Sequence, residues 1–155
     1  MSDVWSLALR IVIDIAIVVG GSIAVGAVAP RWPDDWLARD RGPLRLSRLD
    51  TPARYRALRV STLARRLPEL GGTFGGESKS GLPGTDLASI QAYAREVRRA
   101  EWVHWASCLT LVPLWFFNPW WLALAFTIVV VGGNGLFILV LRHNRLRLRR
   151  ILTRG

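Results

Sequence analysis

A single cysteine, Cys108, leaves this chain of 155 residues unable to close an internal disulfide, and it says little about redox compartment. Acidic residues are scarce beside basic ones: 11 Asp and Glu stand against 21 Lys and Arg, a formal charge of +10. Charge is almost missing from one long stretch. From Trp102 to Leu141 only His104 has a side chain that charges near neutral pH, and Asn118-Pro119-Trp120-Trp121 interrupts the run near its middle. A spanning helix needs roughly 20 apolar residues, so this length fits two spans folded into a hairpin with Asn118-Pro119 as the turn. The polar ends, Glu101 on one side and Arg142-His143-Asn144-Arg145 on the other, then return to the same membrane face.

What is present agrees with a membrane protein. Hydrophobic residues make up 51% of the chain, and its charge falls in blocks outside the apolar runs. A basic chain can bind nucleic acid. Here, however, the arginines flank apolar runs and the eight Trp lack the interleaved pattern of a base-stacking platform, so membrane lipids are the expected partner and nucleic acid is not. Ile11 to Ala29 is a further apolar run with Asp14 as its only charge, about 28 Å of helix and just enough to cross. Ala27-Val28-Ala29 has the look of a signal-peptide cleavage site, but Pro30 follows directly and would block cleavage; a retained anchor is expected.

These runs predict an all-α integral membrane protein, one domain over 1–155, with three transmembrane helices at about 8–29, 102–117 and 120–141. Arg10 alone precedes the first run, whereas Pro30 to Glu101 holds fourteen basic residues, the segment from Arg142 six, and the Asn118 turn none. Positive charge favours the cytoplasm, which predicts a cytoplasmic loop at 30–101 and a cytoplasmic tail at 142–155, with the hairpin turn outside. The Trp residues fit an aromatic belt at both interfaces: Trp5, Trp115, Trp120 and Trp121 outside, Trp32, Trp36, Trp102 and Trp105 inside.

Within the loop, Asp50-Thr51-Pro52 has the composition of a helix cap, and Tyr55, Leu58, Val60, Leu63 and Leu67 recur among arginines. An amphipathic interfacial helix is expected there, its arginines among anionic headgroups. A glycine-rich stretch follows from Gly71 to Gly81. Gly75, Gly76 and Lys79 have the chemistry of a phosphate cradle, but Glu77 stands where the P-loop motif requires lysine, so a surface loop is the default. From about Asp86 a helical pattern resumes and runs through Glu101 into the second span.

Spacing narrows the candidate site. Glu101 and His104 share a helix face, so the carboxylate is placed to orient the imidazole as a base. Folding about residues 118 and 119 sets His104 level with Gly133 and Asn134. Gly132, Gly133 and Gly135 either open a notch there or let helices pack closely, with Asn134 offering its amide to the histidine or to a substrate oxygen. Cys108 is one turn beyond His104, but apolar surroundings disfavour its thiolate. No metal-ligand pattern is present.

The strings Arg99-Ala100-Glu101-Trp102-Val103-His104-Trp105, Asn134, and Arg142-His143-Asn144-Arg145-Leu146-Arg147 together resemble the glycosyl-4,4'-diaponeurosporenoate acyltransferase family. The likeness extends to Arg31-Trp32-Pro33-Asp34, Leu67-Pro68-Glu69 and the Gly75-Gly76 to Lys79 loop, and so over nearly the whole chain. His143 and Leu146 stand where the family string has Tyr and Pro. The resemblance implies a small bacterial inner-membrane enzyme of carotenoid biosynthesis that esterifies a sugar hydroxyl with a fatty acyl group. It implies no bound cofactor, a coenzyme A-type acyl donor as co-substrate, and a lipid-linked glycosyl acceptor as partner; a homo-oligomer is compatible with it. Taken with the spacing, it makes His104, Glu101 and Asn134 the catalytic candidates. Arg142, Asn144, Arg145, Lys79, Gly75 and Gly76 become the substrate-binding ones. On the residues alone, a small membrane methyltransferase or reductase and a non-catalytic membrane subunit remain alternatives.

Overall fold

The structure, a computed structural model, describes residues 2–66 and 86–152; among them every regular element is helical. Ile, Val, Leu and Ala dominate α1 from Ser2 to Val28, and Pro30 ends it in a 3₁₀ turn over Ala29–Arg31. A short α2 (Asp34–Leu37) follows. Thr51 then caps α3 (Pro52–Ala57), its hydroxyl accepting from Arg54 N, with Pro52 in the first turn where no N–H is needed.

The amphipathic helix expected across residues 51–67 is instead two helices, α3 and α4 (Val60–Arg66). Arg59 between them has φ +49°, a left-handed conformation that redirects the chain. The bend lets Tyr55 and Val60 both bury against Val140, with Leu63, Ala64 and Leu146 packed around them. Burial against a neighbouring helix thus overrides continuous helical periodicity.

Asp86 caps α5 (Leu87–Ser107) by accepting from Ser89 N at 3.1 Å. The expected single span over 102–117 is then broken: a 3₁₀ turn at Cys108–Thr110 separates α5 from α6 (Leu111–Phe117). Pro113 has no N–H for the Leu109 carbonyl, which accounts for the break falling in this turn. After Asn118, the Pro119 carbonyl accepts from Leu122 and Ala123 N, starting α7 (Trp120–Leu152). That helix continues well past the apolar run into the basic segment. Among the described residues, two helices are long and apolar enough by themselves to cross a membrane, Ser6–Arg31 and Trp120–Leu152. Their large side chains face outward, as with Leu9 and Val12 on α1 and Ile128 and Val129 on α7.

Besides the Tyr55, Val60 and Val140 group, two clusters pack along α7. Ile90, Tyr93, Ala94 and Val97 of α5 meet Leu141 and Leu148 at the basic end. Leu111 and Leu114 of α6 meet Val130 at the turn end, with Ile17 and Val18 of α1 against them. Buried apolar surface of this kind fixes α5 and α7 side by side. The polar site lies between the two clusters.

Candidate active site between α5 and α7

Glu101, on the α7-facing side of α5, is completely buried. A bare carboxylate there would be costly, and two arginines one turn apart on α7 compensate it. Arg142 Nε donates to Glu101 Oε1 at 2.9 Å, and Arg145 Nη1 pairs with Oε2. Each arginine also fastens the segment before α3. Arg145 Nη2 pairs with Asp40 at 2.7 Å and with the Leu44 carbonyl, while Arg142 reaches Asp50 at 3.3 Å and the Pro43 carbonyl. Arg98 Nε donates to the other Asp40 oxygen at 2.8 Å. One network thus ties α5, α7 and the loop together.

Charge tuning follows this geometry. Burial alone would push the Asp40 carboxyl up, but Arg98 and Arg145 outweigh it and hold it below the usual carboxylate range. Asp50 is likewise raised by burial and more than offset by bonds from Tyr55, Ser47 and Arg142, so it too stays ionised. Burial and the Asp50 carboxylate push the Tyr55 hydroxyl well above its ordinary value, which keeps it a donor. Its ring tilts against His143, 5.4 Å between centroids.

One turn beyond Glu101, His104 meets α7. Its Nδ1 is 2.8 Å from Asn134 Oδ1, and its ring stacks on Phe137 at 4.7 Å and 9°. Asn134 Nδ2 donates to the Val130 carbonyl at 2.9 Å, which fixes the amide orientation. The oxygen facing His104 can only accept, so Nδ1 donates in this contact, and in the neutral imidazole Nε2 would carry the lone pair. Beside this pair, a Cβ at Gly132, Gly133 or Gly135 would meet nothing within 4 Å. Among the described residues, these glycines have open space beside them and serve no close helix crossing. Gly21 is the packed one, with Thr110 Cγ2 only 2.7 Å from where its Cβ would stand.

The structure therefore brings together His104 with Asn134, and Glu101 with Arg142 and Arg145. The orienting contact that the spacing assigned to Glu101 comes at Nδ1 from Asn134, because both Glu101 oxygens accept from arginines. Asn144 is half-buried on α7 between those arginines, and Cys108 Sγ bonds back to the His104 carbonyl at 3.4 Å. Gly75, Gly76 and Lys79 lie outside the described residues, as does Leu67-Pro68-Glu69. Sequence reasoning missed Asp40, Asp50 and Arg98; the signal was present in Arg39-Asp40-Arg41, an acid held among arginines, but a solvated charge run reads the same.

Outward-facing apolar helices joined to a buried polar centre suggest a small helical membrane protein. The chain belongs to the glycosyl-4,4'-diaponeurosporenoate acyltransferase family, whose model matches residues 33–154, everything described here apart from α1 and the turn after it. No curated protein and no solved structure matches it. Family membership implies acyltransferase activity connected with carotenoid biosynthesis.

Proposed function

We propose that the chain is a bacterial inner-membrane acyltransferase that moves a fatty acyl group from a coenzyme A-type thioester to a sugar hydroxyl of a glycosylated isoprenoid or glycolipid. The observation that carries this reading is the His104 and Asn134 pair, in which the amide oxygen holds the ring by Nδ1, and in the proposed mechanism Nε2 is the base. As the acceptor oxygen attacks the thioester carbonyl, its proton passes to Nε2; the tetrahedral intermediate then collapses, the C–S bond breaks, and the thiolate leaves with that proton. Asn134 is a positioning residue, and Phe137 holds the plane of the ring. Glu101, Arg142 and Arg145 fix α5 against α7 so that this pair stays aligned. The space that a Cβ would find open at Gly132 and Gly133, both exposed, leaves a long apolar substrate room along the outer face of α7. In the bilayer, α1, the composite of the α5 end with α6, and the apolar part of α7 form three spans, with the loop and the basic end of α7 in the cytoplasm.

Acyl transfer by purified protein tests the base. His104→Ala loses about 100-fold to 10,000-fold in rate, the usual contribution of a general base. His104→Gln fills similar space and is equally inactive, and Asn134→Ala, which frees the ring without removing it, loses less. Both His104 variants extract and melt as wild type does. Near-normal transfer by well-folded His104→Ala would make the proposed mechanism wrong.

A further inference from the structure

Beside the Glu101 network is a cavity of about 520 Å³ whose lining includes Arg39, Arg45, Arg98, Arg145 and Arg149 against one carboxylate, Asp40. That carboxylate is already shared between Arg98 and Arg145. The lining arginines outnumber Asp40 and Glu101, the acids that pair with Arg98 and Arg145, and Arg39 and Arg45 are exposed at the edge, so the cavity carries a positive excess. Arg145, with 4% of its surface exposed, also keeps a buried Nε without a hydrogen-bond partner. Leu148, Leu46 and Ala94 supply an apolar wall. Arginine forks match phosphate oxygens bidentately, so the chemistry recognised here is a phosphate ester carrying an apolar part.

We propose that this cavity holds the phosphates of the acyl donor, with Arg39 and Arg45 at its rim as the recognition residues. The inference rests on the acyl-transfer reading and adds to it the place where the donor docks. Position supports the assignment. Arg98 precedes His104 by six residues, roughly 9 Å along the helix axis, and Arg145 follows Asn134 by eleven, roughly 16 Å. A nucleotide anchored at the basic end of α5 and α7 therefore sends an extended phosphopantetheine arm along the pair toward the histidine. Arg142 cannot take the same part without giving up Glu101 and Asp50, whereas Arg39 and Arg45 are exposed.

The test measures binding of three probes to the full chain in phosphatidylcholine nanodiscs: coenzyme A, dephospho-coenzyme A and pantetheine. Affinity falls in that order for the wild type. Arg39→Gln/Arg45→Gln loses about tenfold or more for coenzyme A and nothing for pantetheine, as expected when charge-assisted bonds to phosphate are removed. Unchanged coenzyme A affinity in the double variant overturns the proposal, and so does equal wild-type affinity for coenzyme A and pantetheine. A lipid headgroup offers the same phosphate chemistry, so the series is repeated with phosphatidylglycerol in the disc; abolition of the ranking by that lipid assigns the cavity to headgroups and overturns donor binding. Transfer from oleoyl-coenzyme A is read in parallel. Ranked, arginine-dependent binding without transfer counts against the acyltransferase reading alone, and transfer by a double variant of undiminished affinity counts against the cavity alone.

Discussion

Glu101 shows how a buried charge acts at the scale of one residue. It has no exposure, and both its oxygens accept from arginines whose Nη groups also hold the loop before α3. Removing one member of such a cluster leaves uncompensated buried charge, so Glu101→Gln destabilises the protein by about 3–5 kcal/mol. A thermal melt of the detergent-solubilised variant reads this, and its activity falls with its folded fraction; a wild-type melt with lost activity would instead give Glu101 a direct part in the chemistry. Glu101, Arg142 and Arg145 were legible as site residues because they bracket an apolar run. Their partners were not. Asp40 and Asp50 reach α7 only because the loop folds back over it, and no local pattern distinguishes such an acid from a solvated one.

Between elements, two contacts are measurable. Gly21 on α1 faces Thr110 in the 3₁₀ turn, where a new methyl would stand 2.7 Å from Thr110 Cγ2. Gly21→Ala therefore costs about 1–3 kcal/mol by overpacking, although alanine is the better helix former. Thr110→Ser removes that methyl while keeping the hydroxyl that bonds the Ser107 carbonyl, so the double variant recovers stability. Gly20→Ala, with nothing within 4 Å, is the neutral comparison. The second contact is the docked loop. Asp40 has a folded-state pKa below its ordinary 3.8, so its contribution is fully present above that value and is lost as pH falls through the lower folded one. Protease sensitivity of the loop, measured in the folded protein from about pH 5 to 3, rises only at the acid end, and Asp40→Asn raises it at pH 5 already. A pH-independent loop in wild type would remove Asp40 as its anchor. The sequence carried α1, α5 and α7 clearly through length and composition; the breaks at Arg59 and Cys108 follow from tertiary packing and from Pro113 acting four residues back, which a periodicity count passes over.

At the scale of the whole molecule, the arrangement depends on the hairpin turn meeting α1. Asp14, buried within α1, accepts from Asn118 Nδ2 at 2.9 Å, and Arg10 Nη1 donates to the Phe117 carbonyl at 3.0 Å. These two bonds join the start of α1 to the turn at one end of the helices, while the Glu101 network gathers the loop and the basic end of α7 at the other. The proposed orientation rests on Lys and Arg content: the turn has none, and the loop is rich in them. Thiol labelling in a Cys108→Ala background checks the resulting topology. Phe117→Cys, at an exposed position beside the turn, reacts with an impermeant reagent in intact cells, whereas Arg48→Cys in the exposed loop reacts only after the membrane is opened. Reversed labelling would place the basic cavity outside, away from cytoplasmic coenzyme A, and remove the donor assignment with it. Labelling of both positions from one side would show that the broken α5 and α6 segment does not cross, leaving α7 as a surface helix and the three-span arrangement wrong.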